Sequence, residues 1–125
     1  MNNRLKYHLE LLNETLSRIE KAAANESGVI DADILQQFRD VIDQLTEHRD
    51  SAYDAGQDLF SKIGTHQPQL MPAVDRALLW FFGGECMHFL SDEEITRFQH
   101  LDEMAAEAEA EGNEYDYRSA GRSLH

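Results

Sequence analysis

Apolar residues recur along the chain at the three- and four-residue spacing of a helix face. Leu5, Leu9, Leu12, Leu16, Ile19 and Ala23 make one such stripe, and Tyr7 and Leu11 broaden it. The stretch Asn25 to Gly28 breaks the pattern. Asp31 or Asp33 supplies a cap for a second helix, in which Ile34, Phe38, Val41 or Ile42, and Leu45 share a face, with an end near His48. A third helix is predicted from Ser51 to Ile63, with Ala52, Gly56, Leu59 and Ile63 aligned and Tyr53 and Phe60 flanking them. Glycine inside a helix costs about 1 kcal/mol relative to alanine, so Gly56 marks a close helix crossing. Gly64 is the expected stop.

The run Thr65 to Met71 reads as an irregular linker, with Pro72 in the first turn of a fourth helix from Ala73 to Phe82. That helix carries Val74, Leu78, Leu79, Trp80, Phe81 and Phe82, and its second half is apolar on every side. Gly83-Gly84 either ends it or lies inside a longer helix packed closely on a neighbour. Ser91-Asp92-Glu93-Glu94 has the form of a capping box with two further acids at a helix N-terminus. A fifth helix follows through Ile95, Phe98, Leu101 or Asp102, Met104 or Ala105, and Ala108, weakening beyond about Ala110. The predicted fold is therefore all-α, a compact bundle of about five helices with room for a short sixth around Cys86–Leu90. Residues 1–111 form a single helical domain and 112–125 a loosely held tail. No repeat of solenoid period occurs, although two successive helix pairs leave a repeat-like stack open.

Composition agrees. Leucine and alanine number 14 and 13, against nine valines and isoleucines together, and neither Asn-Gly nor Asp-Gly hairpin turns occur. A chain of 125 residues fits one domain. Charge adds a constraint that the pattern alone lacks. The net charge is −13, and residues 91–117 hold ten acids against the single base Arg97. Residues 1–90 hold 14 acids and eight bases. This balance argues against a phosphate-backbone binder and against attachment to anionic lipid. A concentrated acidic stretch reads either as a solvated helix face or as a docking surface for a basic partner. Nucleic-acid mimicry is disfavoured, because Glu107, Glu109 and Glu111 fan around about two hundred degrees of a helix and form no row. No run of about 18 apolar residues occurs, and the N-terminal residues lack a signal peptide's apolar stretch and cleavage site. With one cysteine, Cys86, the expected setting is the cytoplasm.

The segment Leu78 to Leu90 holds four of the eleven aromatic residues, the only tryptophan and the only cysteine. It reads either as a central helix and turn buried on all sides, or as a partner-binding or dimer anchor formed by Trp80, Phe82, Met87 and Phe89. Glu85 and His88 form E-x-x-H, half of a carboxylate-bridged di-iron signature, with no second copy elsewhere. Cys86 and His88 would diverge on a helix, which disfavours a catalytic thiol. His8, His48, His66 and His100 stand at spacings that suit no metal, and the paired acids Asp40/Asp43 and Glu10/Glu14 read as solvated faces. Phosphate-binding, dinucleotide-binding and nucleophile-elbow motifs are all missing.

The block Leu79 to Glu94, LWFFGGECMHFLSDEE, followed by Arg97-Phe98-Gln99-His100-Leu101-Asp102-Glu103, resembles a small group of uncharacterised gammaproteobacterial proteins. Those are short, acidic and helical, with a comparable W-F-F-G-G, C-x-H-F and D-E-E arrangement. The resemblance implies a bacterial cytosolic setting and carries no catalytic role. The expected function is protein–protein interaction in a regulatory or adaptor role, with a protein partner or with itself as a homodimer. Neither catalysis nor a cofactor is expected, and neither nucleic acid nor membrane is an expected partner. The alternative is a metal-binding helical-bundle protein or enzyme using Glu85 and His88.

Overall fold

The computed structural model describes residues 3–25, 32–113 and 115–116. Among these the chain forms five α-helices and no strand: α1 (Asn3–Asn25), α2 (Ala32–Thr46), α3 (Ser51–His66), α4 (Arg76–Phe82) and α5 (Asp92–Ala110). Two 3₁₀ helices join them, Pro68–Ala73 and Gly84–Phe89. The expected all-α bundle is present, and the short sixth element is the second 3₁₀ helix. Asp31 and most of the expected tail lie outside the described residues, while Tyr115 packs against the core. Asp33 sits in the first turn of α2 and not at its cap.

Two boundaries differ from expectation for physical reasons. The fourth α-helix starts at Arg76, because Pro68 and Pro72 hold the preceding chain in a 3₁₀ helix. Proline lacks the N–H and disfavours α geometry in the residue before it. Val74 is then extended, and the Asp75 carboxylate accepts a hydrogen bond from the Ala77 N–H at 3.1 Å to start α4. Gly64 does not end α3, which continues to His66. The Phe89 ring occupies the space a Cβ at Gly64 would fill, so that glycine serves packing. Gly83-Gly84 is a bend: both residues have positive φ, 65° and 57°, and α4 stops there.

α3 is the hub, touching α2, α4 and both 3₁₀ helices. Its Leu59, Phe60 and Ile63 are fully buried, as are Ile34 and Phe38 of α2, and the Phe38 and Phe60 rings meet edge-on at 5.7 Å. Burying each such side chain contributes about 1.5–3 kcal/mol. Phe82 fills the notch over Gly56, which is the close crossing expected there. α1 lays Leu5, Leu9, Leu12, Leu16 and Ile19 on α2 and α4 and on the first 3₁₀ helix. α5 joins the body chiefly through α4, burying Phe98, Leu101 and Ala105.

Candidate functional site

The three rings of Trp80-Phe81-Phe82 point three ways, and each finds a place within the fold. Trp80 is half-buried, stacks on Phe98 of α5 at 6.1 Å and donates its Nε1–H to Asp102 at 2.8 Å. Phe81 stacks on His8 of α1 at 4.2 Å. Phe82 lies over Gly56 and is 4% exposed, leaving almost nothing of it for a partner. Met87 and Phe89 are half-buried on the second 3₁₀ helix.

The same 3₁₀ helix carries Glu85, Cys86 and His88. Residues three apart on such a helix lie on the same side, and Glu85 and His88 are both exposed. A metal needs more protein ligands than this pair, and among the described residues no group of three or more His, Cys, Asp or Glu is placed to hold one. Cys86 is buried, with its Sγ 3.8 Å from the Gln57 carbonyl. Burial, reinforced by the nearby Glu85 and Asp58 carboxylates, pushes its thiol up to about 11. It therefore stays protonated near neutrality and is a poor nucleophile.

A cleft that sequence reading did not single out opens where the start of α1, the α2–α3 connection and the end of α4 meet. It encloses about 210 Å³ and is lined by Leu5, Leu45, Tyr53 and Phe81 together with Arg4, His48, Arg49 and Asp50. The Arg4 guanidinium lies 4.8 Å from the Phe81 ring centre and its Nε is 3.8 Å from Asp102. The Arg49 Nε pairs with Glu47 at 2.7 Å. His48 has φ 60°, the only positive value at a non-glycine among the described residues. The cause is the end of α2. The Arg49 N–H donates to the Gln44 carbonyl at 2.9 Å and the His48 N–H to that of Leu45 at 3.1 Å, a Schellman closure that places His48 where glycine is usual. The nearest sequence signal was that histidine, standing where the pattern of α2 runs out.

The third feature is α5. Asp92, Glu93, Glu103, Glu107 and Glu109 are exposed, and the one base, Arg97, reaches Glu93 at 3.7 Å. The alternatives along this helix resolve clearly: Leu101 and Ala105 face inward, while Asp102 is half-buried beside Trp80 and Met104 faces solvent. Met104 is 42% exposed and Tyr53 38%, the exposed large apolar side chains of the described residues. On the helix surface Met104 neighbours His100 and Glu107.

Comparison with known proteins matches the PA2817-like family model to residues 1–125. The chain belongs to the PA2817-like family. Neither a curated protein nor a solved structure matches it. Membership of the PA2817-like family, which is uncharacterised, assigns no activity to the cleft, to α5 or to the Trp80–Phe89 segment. Among the described residues no helix is long and apolar enough to cross a membrane.

Proposed function

We propose that this protein acts by binding another protein, with the outward face of α5 as the docking surface and a basic, amphipathic segment as the partner. The observation that carries the reading is Met104, an exposed apolar side chain on a helix whose solvent face exposes Asp92, Glu93, Glu103, Glu107 and Glu109 against the one base Arg97. Interfaces enrich methionine at their centres, and a surrounding field of one sign steers an oppositely charged partner and speeds association. Trp80, half-buried on α4 and stacked on Phe98 of α5, adds partly exposed apolar surface beside that helix. Self-association through α5 would set like charges against each other, so a second kind of chain is favoured over a homodimer. The setting we infer is the bacterial cytoplasm, and the LWFFGG-to-DEE block is the sequence mark by which gammaproteobacterial relatives would be recognised. The role is regulatory or that of an adaptor, without catalysis.

The test is purification of tagged wild-type protein from its native host beside Met104→Ala and a Glu103→Gln/Glu107→Gln double variant. The expected result is a basic protein retained by wild type in fixed stoichiometry, lost from both variants and released by raised salt. Retention unaffected by salt and by both sets of substitutions refutes the reading. Light scattering on the pure protein is expected to give a monomer, and a dimer that persists in the Met104 variant counts against α5 as the principal contact.

A further inference from the structure

We propose that the outward face of α5 is covered by this chain's own basic segment, residues 117–125, which competes with the protein partner for it. The inference rests on the reading of α5 as a docking surface and adds how that surface is regulated. Residues 117–125 lie outside the described residues; charge, spacing and reach assign them to α5. Glu103, Glu107 and Glu111 stand four apart on α5 and its cap, so they line one side of the helix, with Met104 beside them. All three are exposed, and none forms an ion pair with a described residue. Residues 117–125 carry Arg118 and Arg122, no acid, and the apolar side chains of Tyr117 and Leu124. A basic segment with apolar side chains is the chemistry that this surface selects, and the chain supplies one itself.

The end of α5 sends the chain the right way. The Gly112 N–H donates to the Glu109 carbonyl at 3.0 Å and the Asn113 N–H to that of Ala108 at 2.8 Å, with Gly112 at φ 78°. This Schellman closure turns the chain off the helix axis, and Tyr115 then packs against the core. Residues 117–125 therefore start beside the last turn of α5. Nine residues extend to about 30 Å, and α5, with 19 residues, is about 28 Å long. Passing round a helix about 10–12 Å across leaves length to spare. In an extended segment Arg118 and Arg122 stand about 13 Å apart, against about 12 Å along the helix from Glu103 to Glu111.

Exposed ion pairs contribute little between separate molecules. Here the short tether supplies an effective concentration in the roughly millimolar range, so two weak pairs hold the segment on α5 for part of the time. A partner meets the surface only in the molecules left uncovered, and its apparent affinity falls by that fraction.

The contact is tested on the full chain with a nitroxide attached at Ser123→Cys; Cys86 is buried and stays unlabelled. The expected result is broadening of the Met104 methyl signal and of amides 103–111, relieved by Arg118→Ala/Arg122→Ala and, with no further substitution, by raised salt. Broadening that is absent, or equal with and without the arginines or at high and low salt, overturns the proposal, since the tether alone gives the latter. Competition is tested with a synthetic amphipathic peptide of lysine and leucine. It is expected to bind the Arg118→Ala/Arg122→Ala protein at least about threefold more tightly than wild type. Lys6→Ala/Lys21→Ala removes the same charge from exposed positions of α1 and is expected to leave the affinity near that of wild type. Equal affinity for wild type and the arginine variant, or equal tightening in both variants, overturns the competition and leaves the docking surface standing. A peptide that binds none of these proteins refutes the docking surface itself, and the broadening still decides whether the segment lies on α5.

Discussion

Gly56 and His8 show how single residues carry this fold. A Cβ at Gly56 would fall inside the Phe82 ring, and the hub helix α3 cannot give way without disturbing α2 and both 3₁₀ helices. Gly56→Ala gains about 1 kcal/mol of helix propensity, yet overpacking of this kind costs typically about 1–3 kcal/mol. The net expectation is destabilisation, read as a lower urea midpoint. Gly56→Ala combined with Phe82→Leu should recover part of the loss. His8 is buried, with Nδ1 bonded to the Arg4 carbonyl and its ring on Phe81. Burial lowers its pKa from 6.5 to about 4, against the Arg4 carbonyl bond, which raises it. Because the folded value lies below the unfolded one, the unfolded chain takes up the proton first as pH falls. The stability held by neutral His8 is complete above about pH 6.5 and is lost progressively toward pH 4, a swing of roughly 3 kcal/mol. Urea titrations of wild type and His8→Phe at pH 7 and pH 4.5 check this, with a distinctly smaller loss expected in the variant.

At the scale of elements, junctions were harder to read than helices. The apolar periodicity of α1, α2 and α5 was legible because a solvent-facing helix must alternate buried and exposed positions. The same reasoning failed at Gly64 and Ala73. Gly64 resembles a helix stop, but a ring from the distant Phe89 fills its empty side, which no local pattern encodes. Pro72 suits a helix start and so predicts Ala73 within the fourth helix, whereas two prolines in five positions favour the tighter 3₁₀ turn. The Ser91–Glu94 capping box was legible and is present, with both reciprocal bonds formed. Its second task was not. Arg76 at the start of α4 makes two 2.7 Å bonds to the Glu94 carboxylate and a third, at 2.6 Å, to the Phe89 carbonyl, tying α4, the second 3₁₀ helix and α5 together. The Arg76 bond holds the Glu94 carboxyl at about 2, helped by the Ser91 cap. Since the folded value lies below the unfolded one, this contribution is present above about pH 4.5 and is lost as pH falls toward 2, below the window of His8. A double-mutant cycle of Arg76→Met and Glu94→Gln is expected to return a coupling of about 1–3 kcal/mol at pH 7 and much less at pH 3, measured by chemical denaturation.

Across the whole molecule the charge is polarised, and so is the packing. α1 to α4 share one core, while α5 adds three buried residues and a face of carboxylates. Backbone amides near the end of α5 should exchange hydrogen faster than those of α3 by several orders of magnitude, because α5 can open without breaking the central core. Like-charge repulsion along α5 should also make the protein more stable as salt rises, and Glu107→Gln/Glu109→Gln should flatten that dependence in urea titrations.

The helical class, the number of long helices, the capping box and the concentration of acid after Ser91 follow from the sequence by itself, because periodicity, propensity and charge are local quantities. The cleft, the outward turn of Met104 and the inward turn of Phe82 were decided by tertiary structure. Arg4, Arg49 and Phe81 are separated by dozens of residues and meet only because α1 packs on both α2 and α4. Local rules placed Met104 and Ala105 equally well on the inner face of α5; the way that helix packs on the body buries Ala105 and leaves Met104 at the surface.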